Sequence, residues 1–296
     1  MEIEQNEIDT IPALKAEKQK NNVDVLVTIE TDKGQVDVIF ENKMWSTVHG
    51  DQLKRYRQKF NRAIKFIYLK LGYIHDRERE EVTKAGYSII NAEDLYRFLH
   101  GFDEVHQFIQ EFNEYLDDWF VTPQRMMDKK FEQNKIEELK DASFQQFVMG
   151  KVSIELLKNG FDKEDILFKV GSNNDGSPWT QLNFSFLDKV YGEYGETLFF
   201  RIDRRSGRYY LRVNLYSRLG KDDWPLKRER LFRLREVAKL ISVDSNLKYG
   251  NVHDRARYET EVLILFFNDT NEIKKVVSES SIIANQLRDA HQNLLV

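Results

Sequence analysis

Apolar positions recur with a period of two over residues 14–43 and with a period of three to four soon afterwards, so the chain opens on strands and then turns to helix. Three segments read as strands: 14–20, 23–30 and 35–43. Val25, Val27 and Ile29 alternate on one face of the second, and Val36, Val38 and Phe40 on one face of the third. These two strands are joined through Thr31-Asp32-Lys33-Gly34, which suits a tight antiparallel turn. The two apolar sets must then share a face, because a slip of one residue would send one of them into water. A helix is predicted over 50–64, where Leu53, Tyr56, Phe60 and Ile64 recur at helical spacing. A strand over 65–71, a charged connection over 76–84 and a short strand about Tyr87 follow. Asn91 stands where an N-cap belongs, ahead of a helix over 92–99 with Asp94 in its first turn. Further helices are predicted over 104–120, 130–157 and 271–295, and strands over 179–186, 197–203, 208–216 and 260–267. Pro123 marks a seam, which divides the chain into residues 1–122 and 123–296. The expected fold class is α/β: a mixed sheet with helices on both sides, then a C-terminal α+β part rich in antiparallel strands. Residues 1–13 are polar and acidic, with little to anchor them.

The parity of the hairpin has a chemical consequence. If one face carries the valines, the other carries Asp24, Glu41 and Lys43 together. Asp24 lies across from Glu41 or from Lys43, depending on where the loop falls and whether it takes two or four residues. Two carboxylates brought together out of water repel each other unless a cation lies between them. Magnesium, or manganese, takes oxygen ligands of this kind, and the backbone carbonyl of Asn42 is a further donor. Lys43 is placed to orient the attacking water or to neutralise charge on a phosphate, so the expected reaction is metal-dependent phosphodiester hydrolysis. The Glu-x-Lys spacing is not specific in itself. It recurs at Glu138–Lys140 and Glu272–Lys274, where predicted helices give it no role.

With the strands Val23-Asp24-Val25-Leu26-Val27 and Val38-Ile39-Phe40-Glu41-Asn42-Lys43, followed by Gln52-Leu53-Lys54-Arg55-Tyr56, the sequence resembles the PD-(D/E)XK nuclease superfamily, the restriction-endonuclease-like fold. The last element looks like the Gln-x-x-x-Tyr helix of its RecB-type exonuclease branch. By this resemblance Asp24 and Glu41 are metal ligands, Lys43 is the catalytic lysine, and Gln52 and Tyr56 are helpers near the site or the DNA. Bacterial genome defence or repair in the cytoplasm is the setting it suggests. The family commonly places a helix bearing an acidic residue before the Asp strand. Here 23 residues precede Asp24, and Glu17 or Glu7 are the acids at hand to replace it. A partner subunit or a second copy of the chain is another way to complete the site. The second reading, of a different class, is a DNA-binding or assembly module on the same scaffold with the site vestigial. A third is a protein-interaction domain using exposed aromatics.

Composition narrows the alternatives. There is no cysteine, which excludes disulfides, thiolate catalysis and Cys-based zinc sites. The longest aliphatic-aromatic run, 262–267, is far shorter than a membrane span, and the chain begins without a secretory signal, so an intracellular protein with no membrane partner is expected. The six histidines form no zinc-protease pair; His49 alone lies near the proposed site and is read as structural. No Gly-x-x-x-x-Gly-Lys loop and no Gly-x-Ser-x-Gly elbow is present, so no nucleotide cofactor and no serine hydrolase is expected. A net charge of −4 does not announce a DNA partner, but the charge is regional. Between Arg201 and Lys239 stand 13 Lys or Arg against 5 Asp or Glu. A two-residue turn at Ser206-Gly207 groups Phe200, Ile202, Tyr209, Leu211, Val213 and Leu215 on a core face, and Arg201, Arg205, Arg208 and Arg212 on the other with Phe199, Tyr210 and Tyr216. That second face is either a groove for phosphates and bases or a solvated sheet face. Lys54 and Arg55, with Arg57, Lys59 and Arg62, add a basic stripe on the first helix.

Overall fold

The computed structural model describes residues 13–31, 34–48, 50–101, 107–190, 193–218, 224–241, 248–249, 258–267 and 272–294. They fall into two compact units, divided between Arg125 and Met126. The molecule is of mixed α/β character, with one sheet in each unit. Glu7, His49, residues 1–12 and the starts of the helices expected at 104 and 271 lie outside the described residues. Among the described residues no helix is long and apolar enough to cross a membrane.

In the first unit a five-stranded sheet runs in chain order: β1 (Ala13–Lys18), β2 (Val25–Thr31), β3 (Gly34–Lys43), β4 (Ala63–Lys70) and β5 (Ser88–Asn91). The first three strands form an antiparallel meander, and β3, β4 and β5 pair in parallel. Parallel neighbours need crossovers, and these are helices α1 (Gln52–Lys59) and α2 (Asp76–Lys84). Residues 76–84, expected as a charged connection, are therefore helical. His75 caps α2 through Nδ1, which accepts the Glu78 N–H at 3.1 Å, and Arg77 pairs with Glu81 one turn on. Only Val82 and Glu78 of α2 are buried, which is why apolar periodicity did not reveal it. The first helix is shorter than expected. It stops at Phe60, and Ala63 already pairs with Asp37 in the sheet.

Thr31 pairs with Gly34, so the loop of the β2–β3 hairpin is the two-residue one. Val25, Val27, Val38 and Phe40 share a face, as parity requires, but they are only half-buried. The main core lies on the other face. There Leu26, Ile39, Phe66 and Tyr68 pack with Val23 under Leu53 of α1 and Val82 of α2. Burying such a side chain stabilises by about 1.5–3 kcal/mol, and this packing holds α1 across the strands that carry Asp24 and Glu41. Asn91 ends β5 and opens α3 (Ala92–His100) with a reciprocal capping box to Asp94. After α3 come α4 (Gln107–Leu116) and a π-helical turn, Asp117–Val121, whose Phe120 and Val121 join Ala92 and Leu116 in a second cluster.

The second unit is a six-stranded antiparallel sheet in the order β10-β11-β9-β8-β7-β6. The strands are β6 (Leu167–Ser172), β7 (Pro178–Val190), β8 (Glu193–Arg205), β9 (Arg208–Ser217), β10 (Lys248–Tyr249) and β11 (Glu259–Phe267). Helices α5 (Ala142–Lys158), α6 (Trp224–Leu240) and α7 (Ile273–Asn293) pack on it and on one another. The helix expected over 130–157 is broken. Asn134 takes a left-handed φ of 53°, a 3-10 turn covers Ile136–Lys140, and Asp141 caps α5 through the Ser143 and Phe144 amides. Arg205 pairs with Arg208 across Ser206 (φ 48°) and Gly207 (φ 77°), so the turn has two residues, both left-handed.

Candidate functional site

Continuing the β2–β3 register from the Val25–Phe40 pair sets Asp24 across from Glu41. Both then face the side on which α1 lies. Asp24 sits just before β2, where its Oδ2 accepts the Asn42 N–H at 2.7 Å. That bond aims the carboxylate toward the end of β3. Asn42 thus contributes its amide to Asp24, a contact not foreseen when its carbonyl was considered as a metal donor. Glu41 is 1% exposed, in a row otherwise filled by Leu26, Ile39 and Tyr68. Lys43, two residues on and on the same side, brings Nζ to 2.6 Å from Glu41 Oε1. Gln52, at the start of α1, donates from Nε2 to the same oxygen at 2.8 Å and to Tyr56 Oη at 3.1 Å. The Tyr56 hydroxyl in turn donates to the Asn22 carbonyl, just ahead of Asp24. Asp24, Glu41, Lys43, Gln52 and Tyr56 therefore form one connected group.

The electrostatics of Glu41 are unusual for a paired carboxylate. Burial pushes its pKa up, Lys43 opposes that, and the nearby charge of Asp24 adds to it. Its Oε1 has two donors, whereas its Oε2 is buried with no hydrogen-bond partner. An unpartnered carboxylate oxygen inside a protein is costly, on the order of 1–3 kcal/mol. A hard cation beside it and Asp24 would remove that cost, and a donor set of two carboxylates fits magnesium or manganese. Among the described residues no three His, Asp or Glu side chains converge on a possible ion site. Glu17 does not join the pair, since its carboxylate is held by Lys20 at 2.6 Å and Lys15 at 3.4 Å.

A second polar group lies on the same sheet face. Tyr68 donates to Glu78 Oε1 at 2.6 Å, and Lys70 Nζ donates to the same oxygen at 3.2 Å and to the Ser46 carbonyl at 2.5 Å. All three residues are buried. Burial lowers the Lys70 pKa and raises that of Glu78, each offset by the other's charge. Lys70 is the register partner of Lys43, so it ties the turn after β3 beside the candidate centre. These residues were not anticipated. The alternation of Phe66, Tyr68 and Lys70 would have grouped them, had β4 been known to lie parallel to β3.

The basic residues expected to contact nucleic acid are dispersed. Lys54 and Arg55 are exposed on α1, with Lys54 at 3.6 Å from Asp51. Arg57 donates to the Gly86 carbonyl at 2.8 Å and lies over the Phe66 ring, a structural role. Arg201 and Arg212 do share a face of β8 and β9, but it is neither a groove nor a solvated surface. Both are buried. Arg212 lies 3.3 Å from Asp203 and 3.4 Å from Glu261, and Arg201 lies 3.4 Å from Asp203 and 3.3 Å from Glu259. Their guanidinium groups lie beside these carboxylates and over the rings of Tyr210 and Trp179, inside the sheet unit rather than on its surface. Arg208 is exposed at the hairpin end, across from Arg205.

Comparison with known proteins finds no relative: no family model matches the chain, and no curated protein or solved structure is significantly similar to it.

Proposed function

We propose that this chain is a divalent-metal-dependent nuclease of the PD-(D/E)XK kind acting on DNA. The observation that carries the reading is the connected group Asp24, Glu41, Lys43 and Gln52, in which Glu41 keeps one buried carboxylate oxygen without a partner. The topology supports it as well. The resemblance rests on an Asp strand, then a Glu-x-Lys strand, then a helix with Gln52 and Tyr56 in a mixed sheet, and β2, β3 and α1 follow in that order within a sheet that has both antiparallel and parallel pairs.

A bound magnesium or manganese ion supplies charge neutralisation and Lewis acidity toward the scissile phosphate. The chain's own groups do the rest. The Asn42 amide fixes Asp24, and Gln52 and Lys43 together hold Glu41 by Oε1, which leaves Oε2 for the ion. Lys43, whose side chain is 13% exposed, reaches the site's edge. There it orients the attacking water and balances negative charge developing on the phosphate. Tyr56 locks Gln52 and the turn before Asp24 in place.

The purified protein should cleave DNA with magnesium or manganese, and chelator should abolish this. Lys43→Ala should lower the rate by about 100-fold or more at a temperature where the variant is folded, since it also takes the cationic partner from buried Glu41 and lowers the melting temperature. Glu41→Gln should lose metal binding by calorimetry while melting no lower than the wild type, because it removes a buried charge with an unsatisfied oxygen. Undiminished cleavage by Lys43→Ala would sink the mechanism. The second reading, a DNA-binding module with a vestigial site, draws on the convergence of only two carboxylates among the described residues. Salt-sensitive DNA binding with neither metal binding nor cleavage would select it.

A further inference from the structure

The sheet face that carries Asp24 and Glu41 also opens, farther along, into a cleft of about 390 Å³. Its walls are β1, β2 and β3 on one side and the end of α1 with the turn after it on the other. Leu26 and Thr28 line it and continue the parity of Asp24 along the chain, while Asp37 lines it and continues the parity of Glu41 along β3. By strand rise these positions lie roughly 7–13 Å from the candidate centre. The two places are joined by the turn before Asp24. Lys20 of that turn lines the cleft, Gln19 N–H donates to the Asp24 carbonyl at 3.0 Å, and Tyr56 holds the Asn22 carbonyl.

The cleft is cationic. Lys15, Lys20, Lys59 and Arg62 line it against Glu17 and Asp37. Both carboxylates are already engaged, Glu17 by the two lysines of its own neighbourhood and Asp37 by the Thr28 hydroxyl at 2.9 Å. Lys59 and Arg62 are exposed where α1 ends. Phe60, between them in sequence and half-buried, packs on the core, lines the cleft and has Lys59 Nζ 5.8 Å from its ring centroid. Positive charge beside an aromatic face suits a chain of phosphates bearing stackable bases.

We infer that this cleft receives the nucleic-acid strand leading into the candidate centre, with its flanking phosphates against Lys59 and Arg62 and a base or sugar against Phe60. The inference rests on the nuclease reading and deepens it, since it assigns the substrate's path to the first unit rather than to the arginines of β8 and β9.

The test is anisotropy of a short labelled single-stranded oligonucleotide with the full chain in chelator, titrated across salt. The double variant Lys59→Gln/Arg62→Gln should bind about tenfold more weakly, and its log-affinity against log-salt slope should fall by about 1.4, two contacts at roughly 0.7 each. Its melting temperature and its calorimetric magnesium binding should match the wild type. Unchanged affinity and slope in the variant would overturn the inference, as would a wild type that does not bind the oligonucleotide. Loss of binding in the variant, with a wild type that binds yet never cleaves, supports the cleft and refutes the hydrolytic reading instead.

Discussion

Glu41 sits where an apolar side chain would pack more cheaply, between Ile39 and Tyr68 on the covered side of the sheet. Its raised pKa means that the native state binds protons more tightly there than the unfolded chain does, so its ionisation subtracts from stability as pH rises through that window. Proteins tolerate such a cost mainly where a ligand uses the group. His75 shows the opposite sign. Burial drives its pKa down to about 3, so it stays neutral and accepts the Glu78 amide. The unfolded chain takes up a proton near the ordinary value of 6.5 and the native state does not, so the contribution of His75 is intact above that pH and is lost toward about pH 3. The slope is at most about 1.4 kcal/mol per pH unit. In urea titrations between those limits, His75→Asn, which keeps a capping side chain, should show a shallower fall than the wild type. Identical slopes would show that His75 does not titrate as its burial demands.

Local signals along the chain were informative where they were chemical and weak where they were only periodic. Asn91 and Asp94 were read as a helix start from residue type, and the reciprocal cap is present. Asn91→Ala should therefore cost about 1 kcal/mol, measured as a lowered denaturation midpoint, and no change would mean the cap contributes nothing. Residues 76–84 carried no apolar stripe and were read as a connection, although the His75 cap and the Arg77–Glu81 pair make them a helix. The break at 134–141 left a readable mark, Asp141 ahead of Ser143, that was overridden by continuing apolar spacing. Strand β6 and helix α6 went unforeseen; α6 is a highly charged segment whose buried face includes Lys227 and Arg230.

Across each unit, burial reassigned side chains that parity had grouped correctly. The hairpin of β8 and β9 has the two-residue turn expected, and Arg201 and Arg212 are neighbours as expected. Yet β7 and β11 flank them and bring Glu259 and Glu261 against the guanidinium groups. Such a pair is worth little when intact and much when broken. Arg212→Met should destabilise the fold by about 3 kcal/mol, because it takes one guanidinium away from the buried Asp203 carboxylate, and should leave oligonucleotide affinity unaltered at a temperature where the variant is folded. A selective loss of affinity without loss of stability would return these arginines to a nucleic-acid surface.

Alternation of valines across a short turn was enough to predict that Asp24, Glu41 and Lys43 share one side of a hairpin, because side-chain direction in a strand obeys a strict period of two. It was not enough to predict which side the rest of the unit would cover. That depended on α1 and α2 packing over Leu26, Ile39 and Phe66, contacts between residues far apart in the chain. The same packing turned Glu41 from a surface acid into a buried one and set Lys70 and Glu78 beside it. Parity is a property of neighbours along a strand, whereas burial, and with it the charge state and affinity of a carboxylate, belongs to whatever folds on top.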